Sequence, residues 1–215
     1  MDGTGKLFES FLRFFGADEC EIIPLPDAGP QDYESLAKGI YPQLPNEPFT
    51  LLAESFSGAI AIRLIAMRHE HLRKAVFASS FLSSPGTLRT RIMARLPLGK
   101  CVGLPLAPPG VKYFCLGRDA SKANIAELIK VVEEVPSDIL KLRLREMSNL
   151  SNMPGSFDIP ALCLIATRDK LVQGARHEFE QTFENVDVQE IDGPHFLLQA
   201  CPEECACQVR AFMAF

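Results

Sequence analysis

Apolar residues along this chain follow two spacings, the short runs typical of buried strands and the three-to-four-residue spacing typical of helices. Runs and helical stretches alternate through most of the sequence. The predicted strands are residues 21–26, 48–54, 72–80, 160–166 and 186–191. The predicted helices are residues 5–15, 32–44, 121–135, 137–150, 173–183 and 195–215, together with a helix that follows the strand at residues 48–54 and ends at about residue 69. Strands separated by helices imply right-handed crossovers. The pattern therefore predicts an α/β fold, with a mostly parallel sheet and helices on both faces.

The alternation is interrupted between residues 81 and 157. Pairs of proline and glycine punctuate the first part of this segment, and the two helices before residue 150 are separated by Pro136. An insertion between two sheet strands is where α/β enzymes carry a lid. We therefore predict a core of residues 1–80 and 158–215, with a small helical lid at residues 81–157.

Composition narrows the possible partners. A chain of 215 residues suits one domain with a sizeable core, and its net charge of -5, without a basic run, argues against nucleic acid as a partner. No apolar run is long enough to span a bilayer, so no membrane span is predicted. Seven cysteines without a pairing pattern favour reduced thiols and a cytoplasmic location. Cys201, Cys205 and Cys207 match no common zinc spacing, so buried thiols are predicted there and no metal or cofactor is expected.

The boundary between the strand at residues 48–54 and the next helix carries the first candidate for chemistry. Ser55 follows Ala53 by two positions and precedes Gly58, the layout of a strand-turn-helix that exposes a serine hydroxyl. The same pattern also fits Ser57, although Ser57 would lie one turn inside the helix. A serine at this place is also a common helix N-cap, so downstream partners must decide between the interpretations.

Two later strands end in loops with suitable partners. Asp169 follows the strand at residues 160–166, and His195 follows the strand at residues 186–191, after a Gly-Pro turn. A serine nucleophile needs a base, and the base needs an acid that fixes its tautomer. The rival groups are expected to precede a strand, to lie inside one, or to lie on helices: Asp158, Asp187, Asp192, His69, His71 and His177. The alternatives for Asp169 and His195 themselves are a loop aspartate and a helix cap.

These residues carry a resemblance to the α/β-hydrolase superfamily, in particular to serine esterases and lipases. Residues 53–58 resemble its Gly-x-Ser-x-Gly-Gly elbow, with Ala53 in place of the first glycine. Asp169 and His195 lie in segments similar to its acid and histidine loops, in the same chain order. Residues 2–5 resemble the end of an oxyanion loop that reads Leu-Pro-Gly-x-Asp-Gly-Thr-Gly in some members.

The resemblance also implies an oxyanion hole and a truncation. It places one donor at the backbone N–H of Phe56 and the second at that of Met1. It also places the central strand of the sheet, and the two strands before it, upstream of the first residue. We therefore expect N-terminal strands to be missing, with a recorded start that lies downstream of the real one.

Together, these patterns predict a serine-dependent hydrolase of carboxylic esters or thioesters. Ser55, His195 and Asp169 would form an acyl-enzyme, and the apolar lid favours a small substrate with an apolar group. Acyl transfer would use the same three residues. The alternative from another class is a non-catalytic or truncated α/β-hydrolase fold that serves as a binding module. The leucines and valine behind the lid prediction are Leu96, Leu98, Val102, Leu104 and Leu106.

Overall fold

Four of the five predicted strands form one sheet in the computed structural model of the chain, which describes residues 2–85, 107–151, 153 and 155–214. Within these residues the strand order is β1-β2-β3-β4, and each neighbouring pair is parallel. The strands are β1 (Phe49–Glu54), β2 (Leu72–Ala78), β3 (Ala161–Ala166) and β4 (Val186–Ile191). Because all four run in the same direction, their carboxyl ends meet at one edge, where side chains from distant parts of the sequence come together.

Each predicted helix has a counterpart with bounds within a few residues of the prediction, whereas the short helix at Ala107–Val111 was not predicted. Two predicted helices end early or break, and proline accounts for both. The segment after residue 32 changes to a 3₁₀ turn at Tyr41–Gln43, which contains Pro42, and the C-terminal segment restarts at Pro202. The helices are α1 (Glu9–Phe15), α2 (Tyr33–Ile40), α3 (Gly58–Ala66), α4 (Ala107–Val111), α5 (Lys122–Glu133), α6 (Ser137–Asn149), α7 (Ala175–Thr182), α8 (Leu197–Ala200) and α9 (Pro202–Met213).

Helices cover both faces of the sheet, as predicted. Successive side chains of a strand point to opposite faces, and the neighbours Val76 and Phe77 of β2 accordingly belong to different apolar clusters. The Val76 cluster includes residues of α1, α8 and α9, and the Phe77 cluster includes residues of α3 and α7. The inner strands are therefore buried on both sides, which explains the continuous apolar run of β3, whereas half of the residues of the edge strand β4 are polar.

The strand predicted at residues 21–26 is wrong. A strand needs a neighbour for its ladder of backbone hydrogen bonds. Outside helices and strands, the described residues offer this segment one backbone bond, from the N–H of Leu25 to the carbonyl of Gly3, at 2.7 Å. Ile23 and Leu25 pack their side chains against an apolar cluster around α2 and α3 instead. The apolar residues of this segment are therefore explained by burial of their side chains and not by pairing in a sheet.

The predicted lid is described only in part. Residues 86–106, with the five lid side chains named above, lie outside the described residues, and the domain boundaries stay a prediction. In the remainder, α5 packs Ile125, Leu128 and Val131 against Leu7 and Leu116.

Two further observations concern membranes and thiols. No helix of the described part of the chain is long and apolar enough to cross a bilayer.

Of the C-terminal thiols predicted to be buried, Cys205 is buried and Cys201 is half-buried, but Cys207 is exposed on α9. The prediction was therefore wrong for Cys207.

Candidate active site

Ser55 lies on a tight turn between β1 and α3. Its φ of 54° is in the left-handed region, which is uncommon for residues other than glycine and is a frequent form of strain at functional sites. The backbone of α3 passes close to the end of β2, since a Cβ added to Gly58 would lie 2.6 Å from Cβ of Ser80. A small residue is therefore required at position 58, as the elbow pattern predicts.

The structure brings Ser55, and not Ser57, to the histidine. Oγ of Ser55 lies 2.8 Å from Nε2 of His195. Oγ of Ser57 donates to the carbonyl of Glu54 and accepts from its N–H, at 2.8 and 3.0 Å. The Ser57 hydroxyl is thus used to hold the start of the helix, and the alternative register of the elbow is not supported.

His195 and Asp169 also meet as predicted. Nδ1 of His195 lies 2.7 Å from Oδ2 of Asp169, and the histidine is only 3 % exposed. The other carboxylate oxygen of Asp169 accepts from the N–H groups of Leu171 and Val172, at 2.7 and 2.9 Å. Both oxygens of Asp169 are therefore fixed. This geometry favours the tautomer with the proton on Nδ1 and leaves Nε2 free to accept the hydroxyl proton of Ser55.

Of the two predicted oxyanion donors, Phe56 lies within the described residues and Met1 does not. Phe56 directly follows Ser55, and its buried side chain packs on Tyr33 with ring centroids 4.7 Å apart, which fixes the first turn after the elbow. Met1 lies outside the described residues. Both roles stay predictions.

The rival groups lie elsewhere. Asp192 follows the end of β4, where the prediction had it inside the strand, and it forms an exposed ion pair with Arg168 at 2.9 Å. His69 and His71 were predicted to end the elbow helix, but α3 ends at Ala66 and they lie in the turn before β2. His177 lies on α7.

Residues 112–117 of the predicted lid pack over the loops that carry Asp169 and His195. The N–H of Phe196 donates to the carbonyl of Cys115 at 3.1 Å. Nζ of Lys170 lies 3.2 Å from the centroid of the Tyr113 ring, a cation–π contact. Burial raises the pKa of Cys115 to about 12, so this thiol stays protonated. These contacts cover the histidine loop from the side of the insertion.

A cleft of about 380 Å³ lies at the ends of β2 and β3. Asp169 and Thr167 border it, together with Ser79. The Ser79 hydroxyl is buried and has no hydrogen-bond partner among the described residues.

Two buried charges were not singled out from the sequence. Glu54, directly before Ser55, is 8 % exposed, and burial raises the pKa of its carboxyl although hydrogen bonds from Gln199 and Leu198 oppose that rise. Arg143 of α6 is fully buried. A sequence signal existed for both. Glu54 ends a buried strand, and Arg143 lies on the apolar stripe of its helix, four residues after Ile139 and four before Met147.

A parallel sheet with helices on both faces, and a serine, an acid and a histidine that follow three of its strands in that chain order, defines the α/β-hydrolase class. A family model described as serine aminopeptidase, S33, matches residues 26–193, and the chain therefore belongs to this family of hydrolases. The superfamily inferred from the sequence is confirmed. A search of curated proteins finds no match to this chain.

Solved structures agree on the fold. An esterase from Exiguobacterium antarcticum has a TM-score of 0.81 at 12% identity, covering 99% of this chain and 88% of its own. A lipase-esterase related protein from Clostridium acetobutylicum has a TM-score of 0.75 at 18% identity, with 98% and 91% covered. The enol-lactonase from Burkholderia xenovorans has a TM-score of 0.70 at 14% identity, with 89% and 79% covered. At these identities the likeness supports the fold alone.

Proposed function

We propose that the protein is a serine hydrolase of carboxylic esters or thioesters, with Ser55 as nucleophile, His195 as base and Asp169 as the acid that orients it. The observation that carries the proposal is the continuous line of contacts from Oγ of Ser55 through the His195 ring to Asp169, at 2.8 and 2.7 Å. The printed names of the structural neighbours, an esterase and an enol-lactonase among them, agree with ester chemistry.

The reaction follows from which atoms can exchange a proton. Nε2 of His195 takes the proton of Ser55 as Oγ attacks the carbonyl carbon, and the imidazolium is stabilised by Asp169. The tetrahedral oxyanion is held by the N–H of Phe56 and by the second donor predicted at Met1. His195 then protonates the leaving alcohol or thiol, and an acyl-enzyme remains. Water gives a proton to His195 as it attacks the ester carbon. The bond from that carbon to Oγ of Ser55 then breaks, His195 returns the proton to Oγ, and the carboxylic acid is released.

The substrate class is a small molecule with an apolar acyl or alcohol group. The apolar residues predicted in the lid support this choice, and the reduced cysteines fit a cytoplasmic protein. Acyl transfer to an alcohol uses the same residues. It would be recognised by a new ester in the products when an acceptor alcohol is present.

The test is the hydrolysis of p-nitrophenyl esters of increasing acyl length by wild-type protein and by Ser55→Ala. We expect the variant to lose at least about 10⁴ in kcat, because removing such a serine abolishes the covalent route. Ser57→Ala is the matched control. Its hydroxyl contacts only the Glu54 backbone among the described residues, so most of the activity should remain.

Two outcomes would contradict the proposal. Turnover by Ser55→Ala above about a thousandth of wild type would exclude Ser55 as the nucleophile. The second is wild-type protein that neither hydrolyses esters nor reacts with a fluorophosphonate at Ser55, which would favour the non-catalytic binding module instead.

A further inference from the structure

Glu54 connects the strand that ends at the nucleophile to the loop that carries the histidine. One oxygen of its carboxylate accepts from the backbone N–H of Leu198 at 3.1 Å, and the other accepts from Nε2 of Gln199 at 2.9 Å. Both donors belong to α8, which begins two residues after His195. The carboxylate therefore fixes the backbone just after His195 relative to the backbone just before Ser55.

The contacts around Gln199 indicate the charge state of Glu54. Nε2 of Gln199 also lies 3.1 Å from the carbonyl oxygen of Leu7, which can only accept a hydrogen bond. The Leu7 carbonyl thus fixes the amide orientation, and the group that faces Glu54 must be a donor. With a second donor at the Leu198 N–H, both oxygens of Glu54 accept. These two donors satisfy an ionised carboxylate.

His195 also acts on Glu54 through its charge. Two titratable side chains of the described residues interact with the charge of Glu54. The charge of His195 lowers the pKa of Glu54. Cys205 of α9 is a buried thiol, and both burial and Glu54 raise its pKa. The thiol is therefore neutral, and His195 is the group that can respond to the negative charge. An imidazolium that forms in a buried site gains stability from a nearby anion.

We propose that Glu54 is a positioning residue for His195, an ionised carboxylate that anchors the histidine loop to the nucleophile strand and stabilises the His195 imidazolium. Asp169 bonds the ring directly, whereas Glu54 acts through the α8 backbone and through its charge. The inference rests on the proposed function, in which His195 is the base.

The direct test is the titration of the His195 ring, followed by NMR in wild type, Glu54→Gln and Glu178→Gln, with His195→Gln to assign the resonance. Removing a negative charge disfavours the imidazolium, so the midpoint of the His195 titration should move to lower pH in Glu54→Gln. Glu178 is the matched control. Its carboxylate also holds backbone N–H groups, those of Leu82 and Ser83, so the pKa should not change in Glu178→Gln.

The same pKa of His195 in wild type and Glu54→Gln would overturn the proposal. If Glu54→Gln does not fold, the carboxyl ¹³C shift of Glu54 in wild-type protein at pH 7 decides instead. An ionised carboxylate is expected there, and a protonated one contradicts the proposal.

Kinetics separate a positioning role from a purely structural one. Glu54→Gln should lower kcat with little change in KM, and the acidic limb of kcat/KM should move to lower pH together with the pKa of His195. A fall in activity without this movement counts against the proposal. Turnover that survives Ser55→Ala would refute the proposed function, yet the NMR titration would still decide the role of Glu54.

Discussion

Two neighbouring parts of this molecule are supported in different ways. Ser55, Asp169 and His195 follow strands β1, β3 and β4, whose parallel ladders align their ends. The segments at residues 2–5 and 21–31 have no ladder among the described residues and are held mainly by side chains. Many small backbone contacts therefore hold the first region, whereas the second depends on a few residues.

Arg143 is the centre of the second region. Its guanidinium donates to the carbonyls of Asp2 and Pro26, at 2.7 and 2.8 Å, and to the side-chain oxygen of Gln31 at 2.8 Å. A Cβ added to Gly3 would lie 2.8 Å from Nη1 of Arg143, so the backbone approaches the guanidinium closely. Burial lowers the pKa of Arg143, but a guanidinium remains charged at any ordinary pH. One side chain thus links three separate segments of the chain.

The largest effect is expected in the region supported by the sheet, and on activity alone. Asp169→Asn keeps an oxygen for the N–H groups of Leu171 and Val172 but presents an amide donor to Nδ1 of His195, which selects the wrong tautomer. We expect kcat to fall about 10⁴-fold. The free energy of unfolding should change little, because the strands keep the loop in place. Ester hydrolysis and urea unfolding measure the two quantities.

A loss of stability in Asp169→Asn would alter the comparison between the region held by the sheet and the region held by side chains. If Asp169→Asn lowered stability as strongly as activity, the contact between Asp169 and His195 would be part of what holds the region together. The alignment of the strand ends would then not be sufficient support.

The second largest effect is expected at Arg143, and on stability. Arg143→Met fills a similar volume but leaves two backbone carbonyls and the Gln31 oxygen without this donor. Buried acceptors without a partner cost about 1–3 kcal/mol each, and we expect the free energy of unfolding to fall by about 3 kcal/mol in urea. Arg145→Met is the matched control, since Arg145 is exposed on the same helix. Equal losses in the two variants would show that the buried contacts contribute nothing.

The same contrast explains what the sequence could and could not predict. The strands that support the site could be recognised from the sequence, and the candidate residues follow them in a fixed order, so the sheet and the contact of His195 with Ser55 and Asp169 could be predicted. The catalytic roles of the three residues stay a prediction. Periodicity reports which side chains are buried. It does not report whether a strand has a neighbour, and the segment at residues 21–26 was therefore mistaken for a strand.

The burial of Glu54 and Arg143 was not predicted from the sequence for a related reason. A charged residue is usually exposed, and only its partners reveal that it is buried. The partners of Arg143 are carbonyls more than a hundred positions away in the sequence, and those of Glu54 lie on α8. Such contacts leave no local pattern, although the place of Arg143 on an apolar stripe was a sign that could have been used.

The smallest effect on the free energy of unfolding is expected at the start of α2, directly after the segment at residues 21–31 that Arg143 contacts. Asp32 caps this helix, and its carboxylate accepts from the N–H of Ser35 at 2.9 Å. Asp32→Ala should lower the free energy of unfolding by about 1 kcal/mol at pH 7, whereas Asp32→Asn, which keeps the acceptor, should stay within about 0.5 kcal/mol of wild type. Urea unfolding of the three proteins measures the difference.

The pH dependence of this cap follows from the direction of its pKa shift. The hydrogen bond from the Ser35 backbone lowers the pKa of Asp32 in the folded state. A carboxylate of this kind stabilises the fold above its unfolded pKa of about 3.9, and the contribution is lost as the pH falls through the lower folded pKa. The gap between wild type and Asp32→Ala should therefore narrow below about pH 4, while the gap between Asp32→Asn and Asp32→Ala stays constant. If the first gap is as wide at pH 3 as at pH 7, the charge of Asp32 is not what stabilises α2. Support in this region would then come from the neutral hydrogen bond and from Arg143.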